Sequence, residues 1–164
     1  MQPARRFTNT IVASAEAIYV DPSALLKLYV HESESRAMIA WRSATRGALP
    51  ITHHSRAEVV NGICLAAFRR RDMSAAALRD ALASFEEDLA AGRYVHADIL
   101  WRAALRRATD LSREHTPDLG CRTLDVLHVA CALELGRSDF LSFDARQRQL
   151  ARSVGLKVLA LRGT

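Results

Sequence analysis

The sequence predicts an α/β domain of three layers, α/β/α, with a short and mainly parallel sheet flanked by helices. Three observations carry this. Apolar runs of strand length recur at 17–21, 48–52, 94–96, 140–143 and 157–160. Longer stretches with a helical apolar period separate them, and such alternation produces parallel sheets with crossover helices. A length of 164 residues suits one domain with its own core. Residues 17–164 are expected to form that domain, after an N-terminal extension over 1–16 that Thr8, Asn9, Thr10 and Ser14 interrupt. That extension is too broken for the core of a signal peptide.

Taken in order, Ile18-Tyr19-Val20 forms the first strand and ends at Asp21. Asp21 then caps a short helix with Pro22 in its first position, and Leu25, Leu26, Leu28 and Tyr29 give that helix a buried side. A second helix is expected over 33–43, and Gly47 and Pro50 bracket the second strand. The third helix is expected over 55–71, opened by Ser55-x-x-Glu58 as a capping box. The fourth, over 74–90, carries a stripe of Leu78, Leu82, Phe85 and Leu89. Tyr94-Val95-His96 is a strand, after which Asp98 is expected to cap a helix bearing Ile99, Trp101, Leu105 and Ala108. Residues 116–121 are expected to be a loop, and the helix over 123–135 stops at Gly136. A strand over 140–143, a helix starting at Asp144 and a last strand over 157–160 complete the chain. Repeats, low-complexity tracts and domain linkers are not found.

The formal charge of +5 and a pI near 9.6 favour a polyanionic partner. Lys27 and Lys157 are the only lysines, so arginine, the better bidentate phosphate clamp, supplies the excess; a genome rich in Arg and Ala codons would give the same balance. Arg69, Arg70, Arg71, Arg102, Arg106, Arg107, Arg146 and Arg148 are candidates for phosphate contact, or simply a solvated basic surface. Cys64, Cys121 and Cys131 lack a C-x-x-C pair or a disulfide framework, which points to a reducing, cytoplasmic location. Cys64 and Cys131 fall in apolar helical patterns and are expected to be buried. Apolar stretches of membrane-spanning length are absent from the sequence, so a membrane is not an expected partner.

Four acids stand at strand ends and helix starts: Asp21, Glu58, Asp125 and Asp144. In an open parallel sheet, ligands bind beyond the carboxyl ends of the strands, where Asp21 and Asp144 fall. Each acid also has a structural explanation. Asp21 and Asp144 suit N-caps, Glu58 suits the capping box, and Asp125 suits the positive end of a helix dipole. Asp125, however, lies in Thr-Leu-Asp-Val-Leu-His-Val-Ala-Cys-Ala-Leu, an almost wholly apolar helix where a carboxylate is costly to bury without compensation. Four carboxylates in one crevice repel one another unless cations are present, and Mg2+ or Mn2+ prefer such oxygen ligands.

Four segments carry a family resemblance: Tyr-Val-Asp21-Pro-Ser23-Ala-Leu, Ser-Arg-Ala-Glu58-Val-Val-Asn, Leu-Asp125-Val-Leu-His128-Val-Ala and Phe-Leu-Ser142-Phe-Asp144. Together they resemble the PIN-domain ribonucleases, most of all the VapC-type toxins of toxin–antitoxin pairs, over about residues 17–160. Ser142 stands where that family usually has Thr, and Pro22 separates Asp21 from Ser23. The resemblance implies an endoribonuclease using Mg2+ or Mn2+. It implies that Asp21, Glu58, Asp125 and Asp144 are catalytic, that Asp21, Asp125 and Asp144 bind metal, and that Ser23 and Ser142 support metal or substrate. His128 is left outside the catalytic set, as a packed or supporting histidine.

The implied partners are RNA and a cognate antitoxin, with a homodimer expected. Apolar stripes on the helices at about 23–44 and 55–90 suit a dimer, an antitoxin groove or core packing alike. Two other functions fit the same pattern: a housekeeping PIN nuclease in RNA processing, and a PIN module that binds RNA or protein without cutting. Retention of all four acids weighs against the last.

Overall fold

A computed structural model of the chain describes residues 14–70 and 72–161. Residues 1–13 of the expected extension, and Arg71, lie outside the described residues.

A single 3-10 turn, Ala15–Ala17, leads into β1, Ile18–Val20. All three residues of β1 are buried. Asp21 then caps α1, Pro22–Leu26, with Pro22 at the start, where a missing N–H costs nothing. There follow α2, Ser35–Ala44, β2, Leu49–Ile51, α3, His53–Arg69, and α4, Ala75–Ala90. Then come β3, Tyr94–His96, α5, Trp101–Leu119, and α6, Thr123–Glu134. The chain ends with β4, Asp139–Leu141, α7, Ala145–Ser153, and β5, Lys157–Val158.

Every strand pairing among the described residues is parallel. β1, β4 and β5 form one ladder in the order β1-β4-β5, and β2 pairs with β3. β2 packs beside β1, so the second ladder continues the layer of the first. One core lies on each side. Ile18, Val20, Leu25, Met38, Val59, Ile63 and Phe85 fill the α1–α4 side. Tyr19, Ala104, Leu127, Val129, Phe140 and Leu150 fill the α5–α7 side. Neighbouring strand residues therefore feed opposite cores, as the twofold alternation of a strand requires. This is the expected α/β/α arrangement.

Four local expectations are corrected. Ser55 does not cap α3. Thr52 does, its hydroxyl accepting from the Ser55 amide at 3.0 Å, so the helix starts two residues earlier and Glu58 lies in its second turn. Asp98 does not cap α5; it pairs with His96 at 2.9 Å, and Leu100 precedes the helix. The expected loop over 116–121 is mostly helix. α5 carries Pro117 in its last turn and stops only at Gly120, whose φ of 62° is the left-handed conformation that favours glycine. Cys64 is exposed, because the buried stripe of α3 is Ser55, Val59 and Ile63, and Cys64 is turned about 100° away from it. Cys131 is buried as expected.

Ala15, within the expected extension, is fully buried in the α1–α4 core. None of the helices among the described residues is long and apolar enough to cross a membrane.

Candidate active site

The parallel pairing of β1 and β4 brings Asp21 and Asp144 to the same end of the sheet. The Asp21 amide extends the ladder by donating to the Leu141 carbonyl at 2.9 Å. Its carboxylate is buried, with 5% exposure. Oδ2 accepts from the Ser23 amide at 3.0 Å and from the Ser23 hydroxyl. Oδ1 accepts from Gln147 Nε2 at 3.0 Å. Asp144 caps α7 through Oδ1, which accepts from the Gln147 amide at 2.8 Å. Asp125 stands in the first turn of α6, and its Oδ2 accepts from the Arg122 amide at 3.0 Å. The capping roles read from the sequence are therefore real for Asp21 and Asp144. They occupy only part of the acceptor capacity: Asp125 Oδ1 and Asp144 Oδ2 have no hydrogen-bond partner among the described residues.

Asp21, Glu58, Asp125 and Asp144 all line one cleft of about 460 Å³, together with Ser23, Arg122 and His128. The acids are electrostatically coupled. Burial raises the Asp125 pKa above its ordinary value; the Arg122 amide opposes this, and the charges of Asp144 and Asp21 add to the rise. Ser142 is placed differently. It is buried and accepts from the Asp144 amide at 3.1 Å, behind the cleft wall, so it orients the turn that presents Asp144.

Glu58 has the opposite environment. His54, one turn earlier on α3, places Nε2 2.6 Å from Glu58 Oε1. His128 from α6 places its own Nε2 3.0 Å from the same oxygen. Burial alone would raise the Glu58 pKa, but the bonds from His128 and His54 overturn that and bring it down to about 2. Burial would lower the His128 pKa; Glu58, followed by the charge of Asp21, raises it instead. The far nitrogen of His128 is held by the Tyr19 hydroxyl at 2.8 Å, and Tyr19 in turn approaches Ser55 Oγ at 3.3 Å.

Three residues of this neighbourhood were not singled out from the sequence. His54 carried a signal, the i,i+4 spacing to Glu58. Gln147 carried a weaker one, an amide on the buried stripe of α7 with Leu150 and Ala151. Arg122 had none. Of the arginine candidates, Arg146 is beside the cleft, donating to the Gly120 carbonyl at 3.1 Å. Arg107 is paired with Glu134, and Arg70 donates to the His31 carbonyl.

A parallel α/β/α domain with converging acids at the carboxyl ends of β1 and β4 defines a class of protein, and comparison agrees with it: residues 18–153 match the PIN domain family, to which this chain belongs. Among its relatives, Ribonuclease VapC46 of Mycobacterium tuberculosis (strain ATCC 25618 / H37Rv) is 33% identical over 146 residues, which covers 88% of this chain and 97% of that protein. The resemblance to VapC-type ribonucleases read from the sequence is thereby upheld.

Proposed function

We propose that the chain is a VapC-type toxin: a divalent-metal-dependent endoribonuclease that hydrolyses RNA phosphodiester bonds and is neutralised by a cognate antitoxin. The observation that carries this is the convergence of Asp21, Asp125 and Asp144 in one cleft, with carboxylate oxygens left over after capping. The likeness to Ribonuclease VapC46 supports it.

The donor set fits Mg2+ or Mn2+. It is all oxygen, and a hard cation offsets both the burial that chiefly raises the Asp125 pKa and the charges of Asp144 and Asp21 that add to the rise. Asp21, Asp125 and Asp144 would hold the ion, with Ser23 and Gln147 fixing the rotamer of Asp21. When bound, the ion lowers the pKa of water and stabilises charge on a phosphate. The remaining tasks belong to the protein. Arg122 on the cleft wall and Arg146 beside it attract the phosphate backbone. Glu58, held ionised by two imidazoles, adds negative charge opposite the three aspartates and keeps the α3 wall in place.

The catalytic unit is proposed to be residues 17–164, acting in the cytoplasm. A homodimer and an antitoxin interface are proposed on the outer helices, where Ile39 and Phe68 are exposed apolar side chains, 51% and 84%. The test is cleavage of total RNA by the purified chain with Mg2+, with EDTA, and with Asp125→Asn in place of the native residue. Cleavage that persists unchanged in either control refutes the assignment.

A further inference from the structure

A second group of donors, with different chemistry, borders the cleft, and two of its three residues, Glu58 and His128, line it. His54 Nε2, Glu58 Oε1 and His128 Nε2 lie within 4.8 Å of one another. The two histidines converge on a single carboxylate oxygen, at 2.6 and 3.0 Å. Two imidazoles and one carboxylate are a ligand set for borderline transition metals and a poor one for Mg2+.

We propose that His54, Glu58 and His128 form a binding site for a Zn2+-class transition-metal ion, separate from the aspartate cradle and opening into the same cleft. Four observations point to it. The spacing His54-x-x-x-Glu58 puts two ligands on one face of α3, and His128 faces them from α6. His54 Nε2 is shielded from solvent and lies 2.6 Å from Glu58 Oε1, so the two donors are already drawn together, and an ion would replace the proton they share. The rings are pre-positioned. His54 and His128 stack at 5.1 Å between centroids, and Trp101 meets His54 edge-on at 5.8 Å.

The fourth observation is the support behind His128. A metal-binding imidazole needs its other nitrogen held by a hydrogen-bond partner, and Tyr19 is within 2.8 Å of Nδ1. A hydroxyl both donates and accepts. Tyr19 therefore accepts from Nδ1–H when Nε2 must be free for a metal, turning its own proton towards Ser55 Oγ at 3.3 Å. Glu58 and His128 both line the cleft, so the remaining coordination position faces water or an RNA phosphate. An ion here would draw on Glu58 and leave Asp21, Asp125 and Asp144 to Mg2+. The site does not depend on the chain cutting RNA, and it is tested without RNA.

The experiment uses the untagged, metal-stripped full chain in saturating Mg2+. Zn2+ binding is followed by calorimetry and Co2+ binding by visible absorption, in wild type, His54→Ala and Asp144→Asn. His54 is half-buried, so its truncation spares the core, whereas replacing His128 endangers folding. One equivalent bound in wild type and in Asp144→Asn, with at least tenfold weaker binding in His54→Ala, supports the site. Equal affinity in wild type and His54→Ala, loss in Asp144→Asn instead, or no Zn2+ binding in wild type overturns it. RNA cleavage fails or survives independently of these outcomes, because none of them measures it.

Discussion

The two walls of the cleft hold the same functional group in opposite electrostatic states. On one wall Asp21, Asp125 and Asp144 face one another with few positive partners, and Asp125 is harder to ionise than usual. On the other, Glu58 faces two imidazoles and is easier to ionise, with a pKa of about 2. A carboxylate's role is thus set by what surrounds it. The aspartate wall is built at a cost to the metal-free protein, as sites that await a cation are. The glutamate wall is internally neutralised and contributes to stability.

The largest expected effect of breaking this contrast is on catalysis. Asp125→Asn or Asp144→Asn should reduce RNA cleavage at least ~100-fold, while the metal-free protein melts at the same temperature or higher. Initial rates and calorimetry of the same preparations check both halves. Glu58→Gln should shift stability in the opposite direction. It leaves His128 buried without its charged partner, at a cost of about 2 kcal/mol, read from urea unfolding. A variant more stable than wild type would contradict the pairing of Glu58 with His128.

The contrast should also appear in the pH dependence of the metal-free protein. The folded-state pKa of Asp125 is raised, so its contribution favours folding at low pH and is lost as pH rises through that raised value. Glu58 works the other way: its contribution is present above its ordinary 4.5 and is lost as pH falls towards about 2. His128, with a raised pKa, supports folding below its ordinary 6.5, and that support fades as pH rises through the folded-state value. Stability profiles of Asp125→Asn and Glu58→Gln, each subtracted from wild type, should therefore slope in opposite directions below pH ~5; parallel profiles would remove the distinction. The smallest expected effect is that of Thr52→Ala. Loss of the α3 cap should cost about 1 kcal/mol and loosen the placement of His54 and Glu58, seen as faster amide exchange in the first turns of α3.

Much of the fold was legible in local pattern. Ile18-Tyr19-Val20, the caps at Asp21 and Asp144, and the stop at Gly136 all act through neighbours in the chain, and all stand where the pattern put them. Local pattern failed where two signals competed. Thr52 and Ser55 are both good caps, and the chain uses Thr52. Pro117 reads as a break, yet it lies in the last turn of α5, where the amphipathic face keeps Ala108 and Leu111 buried and carries the helix on to Gly120. Cys64 lies in an apolar stretch and is turned outward, because only one stripe of α3 meets the core.

By itself the sequence determined the order of the elements and the placing of Asp21, Asp125 and Asp144 at strand ends and helix starts, since caps, helical period and strand alternation depend on residues a few positions apart. Only the tertiary structure decided that Gln147 would secure Asp21 across 126 residues, or that His128 would meet Glu58 across 70. Those meetings follow from β1 lying against β4 and α3 lying opposite α6. Such a choice depends on how two cores pack on one sheet, and packing between distant segments leaves no periodic trace along the chain.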